Sequence, residues 1–132
     1  MTIILDVSAA IQIVLKKEKG ERFTTYLESA SWVIAPDLFT SEITNTLWKY
    51  NNAKIFSHEE CQQFVDDGIK LVDDFFDSND LWKEVLGESI KNNHSAYDLF
   101  YAILARRNDA ILLTNDGPLS KLCKKMKIEC SI

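Results

Sequence analysis

A chain of 132 residues with 15 Lys+Arg against 20 Asp+Glu, a formal net charge of −5 and 46% hydrophobic residues suits one layered core over residues 1–132, burying roughly two-thirds of the surface that the unfolded chain exposes. With only 4 Gly and 2 Pro, and with aromatic residues spread along its length, the chain is neither fibrous nor a linker. A pI near 5.0 argues against holding nucleic acid through the overall field.

No apolar run approaches the roughly 20 residues of a membrane span. The start, Met-Thr-Ile-Ile-Leu-Asp, lacks the basic and apolar regions of a secretory signal, so the reading is cytoplasmic, with no membrane partner. Cys61, Cys123 and Cys130 lack close C-x-x-C pairing and are expected to be reduced and structural. Charge is uneven. Glu59 to Glu88 holds ten acidic residues against Lys70 and Lys83, while Lys16, Lys17 and Lys19, Arg106 and Arg107, and Lys121, Lys124, Lys125 and Lys127 form basic clusters outside it. Solvated helix surface is the plainer account of any one such cluster.

In chain order, Ile3-Ile4-Leu5 reads as a buried strand, followed by a sharp turn at Asp6-Val7-Ser8 and a helix through Ile11, Val14 and Leu15, with Ser8 as its cap. Gly20 ends that helix or separates it from a second one through Phe23, Tyr26 and Leu27. Trp32 to Ala35 is a second strand stopped by Pro36, and a helix with a stripe at Phe39, Ile43, Leu47 and Tyr50 follows. Ser57 and Glu60 form a capping-box pattern opening a helix to about Val72. Phe75-Phe76 is a short strand, Asp80 to Ile90 a helix, Ser95 the cap of the next helix, and Ala110 to Leu113 the clearest strand. A final helix carries Leu119, Leu122 and Met126 before an edge strand within Lys127 to Ser131. Strands alternating with helices predict an α/β fold with a mainly parallel sheet covered on both faces.

In open α/β sheets, ligands sit at the carboxyl ends of the strands. Asp6 ends the first strand run, and Asp116 follows Ile111-Leu112-Leu113 in Thr114-Asn115-Asp116. Each alone is most simply a turn or cap residue; their shared position makes the pair informative. Glu42 and Asn45 fall on one flank of the third helix at ~100° per residue. Asp98 either closes a capping box with Ser95 or, sharing a face with Ala102 and Ala105, reaches over the strand ends. Four carboxylates gathered there would need a counter-charge, and oxygen ligands suit Mg²⁺ or Mn²⁺. Such ions activate water in phosphodiester hydrolysis. A receiver-domain phosphorelay would need an adjacent acidic pair and a haloacid-dehalogenase phosphatase a D-x-D-x-T start, and the chain has neither.

Asp6-Val7-Ser8, Glu42-Ile43-Thr44-Asn45, Tyr97-Asp98-Leu99-Phe100-Tyr101-Ala102 and Leu113-Thr114-Asn115-Asp116, with acids spaced by 36, 56 and 18 residues, resemble the PIN-domain family, most closely its small VapC-like toxins. The resemblance implies a three-layer α/β/α fold with a five-stranded parallel sheet. It also implies Mg²⁺- or Mn²⁺-dependent ribonuclease activity on a tRNA or rRNA, a homodimer, and a VapB-like antitoxin partner. It makes Asp6, Glu42, Asp98 and Asp116 the metal-binding and catalytic acids, and Ser8, Asn45 and Thr114 the polar neighbours that orient them. A non-catalytic RNA-binding or scaffold module on the same fold is the alternative. A small hydrolase of nucleotides is a third reading. His58 and His94 read as helix-end residues, and Trp32, Trp48 and Trp82 as core or dimer-seam residues.

Overall fold

The computed structural model describes residues 1–132. Five strands, β1 (Thr2–Leu5), β2 (Trp32–Pro36), β3 (Asp74–Phe76), β4 (Ile111–Leu113) and β5 (Cys130–Ser131), form one sheet in the order β3-β2-β1-β4-β5. Every pairing is parallel. Seven helices surround it: α1 (Val7–Val14), α2 (Gly20–Ser29), α3 (Leu38–Asn52), α4 (His58–Ile69), α5 (Trp82–Asn92), α6 (Ala96–Arg107) and α7 (Gly117–Met126). The expected α/β architecture is therefore present, with three layers. No helix is long and apolar enough to cross a membrane.

The layering follows from strand pleat, because alternate side chains point to opposite faces. Ile3, Leu5, Val33, Ala35 and Leu113 pack with residues of α1, α2, α3 and α4 on one face. Ile4, Ile34 and Leu112 pack with residues of α5, α6 and α7 on the other. Both faces are dry, so the central strands read as continuous apolar runs rather than as alternating ones. The strand order reverses between β1 and β4. That reversal opens a crevice at the ends of these two strands, where Asp6 and the Thr114–Asp116 segment lie.

Local chemistry sets several boundaries and decides between the alternatives that the sequence reading left open. Ser57 and Glu60 do form a reciprocal capping box on α4, with bonds of 3.1 and 3.0 Å. Ser8, expected to cap α1, lies inside it; the N-cap is Asp6, which makes no side-chain capping bond. The Ser8 hydroxyl instead donates to Asp6 Oδ2 at 2.6 Å, a stronger charge-assisted partner than a backbone amide. The first helix ends through Lys16, held at φ 53°, and of the two readings of Gly20 the structure has the second: it divides the helices, as the first residue of α2. A Cβ there would stand 2.5 Å from the Gln12 carbonyl oxygen, so only glycine lets α2 start this close to α1. Ser95 is the N-cap residue of α6 without a capping bond, and Asp98 closes no capping box; its carboxylate pairs with His94.

The acidic stretch is not purely solvated surface. Asp73 accepts from the Val33 amide at 2.8 Å, Asp74 from the Trp32 indole at 2.7 Å, and Asp77 caps a 3₁₀ turn at Ser78–Asp80. Arg106 and Arg107 are not a free basic patch, because Glu84 and Glu88 bind them at 2.8–3.3 Å.

Candidate metal centre

Two strand ends and two helices build the site. Asp6 follows β1, and its amide donates to the Leu113 carbonyl of β4 at 3.0 Å, which stitches the two strand ends together. Two hydroxyls converge on its Oδ2: Ser8 at 2.6 Å and Thr114 at 2.7 Å. Thr114 is fully buried, and its own amide donates to the Ser131 carbonyl of β5 at 3.1 Å. The Asn115 amide donates to Ser8 Oγ at 2.8 Å and the Asp116 amide to Thr114 Oγ1 at 2.9 Å. This polar knot is built from residues adjacent to the strands, so the sheet itself fixes Asp6.

The other three acids are each held by one donor. Glu42, on the second turn of α3, accepts from the buried Tyr101 hydroxyl at 2.6 Å through Oε1. Asp98 meets His94 Nε2 at 2.7 Å through Oδ2. Asp116 caps α7, its Oδ2 accepting from the Leu119 amide at 2.9 Å. The turn-and-cap account of Asp116 is thus realised in one oxygen. In all four carboxylates the second oxygen accepts no bond from the protein.

Asp6, Val7, Ser8, Glu42, Thr46, Asp98, Asp116 and Pro118 line one open cleft of about 350 Å³. The four acids and Ser8 are brought together there, and Thr114 lies beneath Asp6. Asn45 is exposed and does not line the cleft; Thr46, one turn beyond Glu42, does. The i,i+4 spacing places Thr46 on the Glu42 face, where i,i+3 turns Asn45 outward here. Sequence reading also passed over Tyr101, although its position three residues after Asp98 puts both on neighbouring turns of one face. It set His94 aside as a helix-end residue, yet His94 sits four residues before Asp98 and contacts it.

No Lys or Arg pairs with any of the four acids, and the one ring nitrogen that reaches them is His94 Nε2 at Asp98. Burial pushes the Asp6 carboxyl up, the hydroxyls of Ser8 and Thr114 oppose this, and the charges of Asp98 and Asp116 add to the rise. Burial raises Glu42 to about 7 despite the Tyr101 hydrogen bond, with Asp6 and Asp98 adding repulsion. Tyr101, buried among the same acids, is held well above the usual phenol range and is a fixed donor. The donor set is all oxygen, repulsive and short of counter-charge, which is the chemistry a hard divalent cation satisfies. The acids line the cleft without three of them closing into a ligating group. The fit lies in the chemistry of the donors and their free oxygens.

The fold and this cleft define an α/β protein with an acidic centre at its topological switch point. The chain matches the PIN domain family model over residues 3–125 and belongs to that family. No curated protein matches it in sequence. Among solved structures it is similar to PAE2754 from Pyrobaculum aerophilum, with a TM-score of 0.72 and 18% identity over 90% of this chain and 77% of that one. It is also similar to VapBC2 from Rickettsia felis bound to a DNA fragment from their promoter, with a TM-score of 0.69 and 14% identity over 99% of this chain and 98% of that one. At these identities the likeness is one of fold.

Proposed function

We propose that this chain is a Mg²⁺- or Mn²⁺-dependent endoribonuclease, the toxin of a toxin–antitoxin pair. One observation carries the reading: four carboxylates share a cleft, each with one oxygen anchored and the other unpartnered, and no Lys or Arg neutralises them. Membership of the PIN-domain family, whose members are generally metal-dependent nucleases, supports it. The similarity to a VapBC complex supports an antitoxin partner.

Asp6, Glu42, Asp98 and Asp116 would hold the cation. When bound, it supplies positive charge to a phosphodiester oxygen and acidifies a water. Ser8 and Thr114 donate to one oxygen of Asp6, opposing the rise that burial imposes on its carboxyl, and they leave its other oxygen free. Tyr101 holds Glu42 at the cleft wall, and His94 orients Asp98 through its Nε2 contact. The preorganised oxygens need little rearrangement as charge develops in hydrolysis. Attack by water rather than by the ribose 2′-hydroxyl leaves a 3′-hydroxyl and a 5′-phosphate.

Incubating the protein with total cellular RNA in Mg²⁺ or Mn²⁺, beside the Asp6→Asn/Asp98→Asn double variant, tests this. Discrete fragments with 5′-phosphates, absent with the variant and in excess EDTA, are expected. Cleavage that survives both would overturn the assignment of these acids. RNA bound but intact in every sample would favour the non-catalytic RNA-binding module.

A further inference from the structure

Across Pro118 from the acidic cleft lies a second hollow, of about 410 Å³, lined by Asn92, His94, Pro118, Lys121, Leu122 and Lys125. Pro118 lines both depressions, and His94 bridges them by its contact with Asp98. The two neighbours therefore have opposite character: one gathers free carboxylate oxygens, the other two ammonium groups.

Lys121 and Lys125 stand four residues apart on one face of α7. Like charges at that spacing disfavour a helix. Lys125, in the last turn, gains from the helix dipole, but Lys121 lies nearer the N-terminal half and does not. Neither makes an ion pair, whereas Arg106, Arg107 and Lys70 are all engaged by acids. Asn92 is occupied by Glu88 and serves as wall. His94 uses Nε2 for Asp98, which leaves its other ring nitrogen without a protein partner. Two unpaired ammonium groups in one hollow are donors in search of an anion. A nucleic-acid strand supplies alternation of the required kind, because successive phosphates along one backbone can meet the cation-seeking cleft and the anion-seeking hollow in turn.

We propose that the Lys121–Lys125 hollow is a phosphate subsite, holding the backbone of a neighbouring nucleotide while the scissile bond of the same RNA strand lies over the acidic cleft. This rests on the nuclease reading for its orientation. It explains how a chain of net charge −5 grips a polyanion, through a local basic seat rather than an overall field.

The test measures binding of a fluorescein-labelled single-stranded RNA oligonucleotide in Mg²⁺ by anisotropy, in an Asp6→Asn background that suppresses cleavage. Adding Lys121→Ala/Lys125→Ala is expected to weaken binding at least tenfold and to lower the slope of log K against log salt by about 1.4, or two single-strand phosphate contacts at ~0.7 each. Lys121→Arg/Lys125→Arg restores binding, and Lys19→Ala/Lys54→Ala, which removes equal charge from residues that line neither depression, leaves it within about twofold. Equal loss in the two alanine pairs, or no binding by the parent at low salt, overturns the subsite. A parallel cleavage series in the otherwise unaltered protein separates the two claims. RNA cleavage with an unchanged KM in Lys121→Ala/Lys125→Ala overturns the subsite and leaves the nuclease reading standing. Lysine-dependent binding by a protein that never cleaves RNA keeps the seat and overturns the nuclease reading.

Discussion

Glu42 carries the clearest consequence of crowding acids into a dry crevice. Burial first, then Asp6 and Asp98, lift its carboxyl from 4.5 to about 7, so the folded chain holds this proton more tightly than the unfolded chain does. The stability gained from that proton is complete below about pH 4.5 and is lost as pH rises through about 7. Asp6, also raised, acts in the same direction. In EDTA, thermal unfolding is therefore expected to fall in Tm between these pH values. Glu42→Gln should flatten part of that fall and exceed the parent in stability at pH 8 by about 1–2 kcal/mol, partial solvent access reducing the full ~1.4 kcal/mol per pKa unit. Calorimetry across the pH range checks it; identical curves for parent and variant would contradict the desolvated-acid account. At this scale Asp6 and Asp116 were legible because each follows an apolar strand run. Tyr101 and Thr46 were not, since a tyrosine or threonine on a helix shows its partner only once a second helix or strand is placed against it.

Among the elements, α5 is left incompletely covered. Trp82, Leu86 and Ile90, spaced by four residues, are 51%, 52% and 74% exposed. Such a stripe at helical spacing is apolar surface awaiting a partner, and it supports the proposed homodimer. Leu86→Asp/Ile90→Asp should convert a dimer into a monomer on light scattering after gel filtration, with RNA cleavage assayed on the same fractions; equal masses for parent and variant would remove α5 from the interface. The element order was readable from the sequence because apolar runs and caps such as Ser57 and Glu60 are local signals. Where the reading failed, a distant partner decided: Ser8 left its expected capping role for Asp6, and Arg106 and Arg107 were neutralised by Glu84 and Glu88, about twenty residues earlier. Trp48 is 58% exposed rather than in the core, and Trp82, 51% exposed, lies on the uncovered α5 stripe. Hydrophobicity alone does not tell a core face from an open one.

For the whole molecule, topology is what makes the site. An all-parallel sheet that reverses its strand order beside β1 brings together the ends of strands more than a hundred residues apart in the chain. Two apolar layers hold that crevice rigid, and α3 and α6 carry Glu42 and Asp98 to its walls. The fold could be read from the sequence because strand runs and helical stripes alternate. The four acids could be read as a set only through their order, and the hollow at Lys121 and Lys125 could not, because four neighbouring lysines look like ordinary helix surface until Pro118 is seen to join them to the cleft.

The central claim is that the four carboxylates form a cation site, and calorimetric titration of the metal-free protein with Mn²⁺ at pH 7.5 tests it most directly. Binding is expected, together with proton release visible as a buffer-dependent enthalpy, because Glu42 titrates at about 7 and must ionise to bind. Asp6→Asn should abolish most of the affinity. Mn²⁺ that binds equally well to Asp6→Asn, or not at all to the parent, would contradict the account.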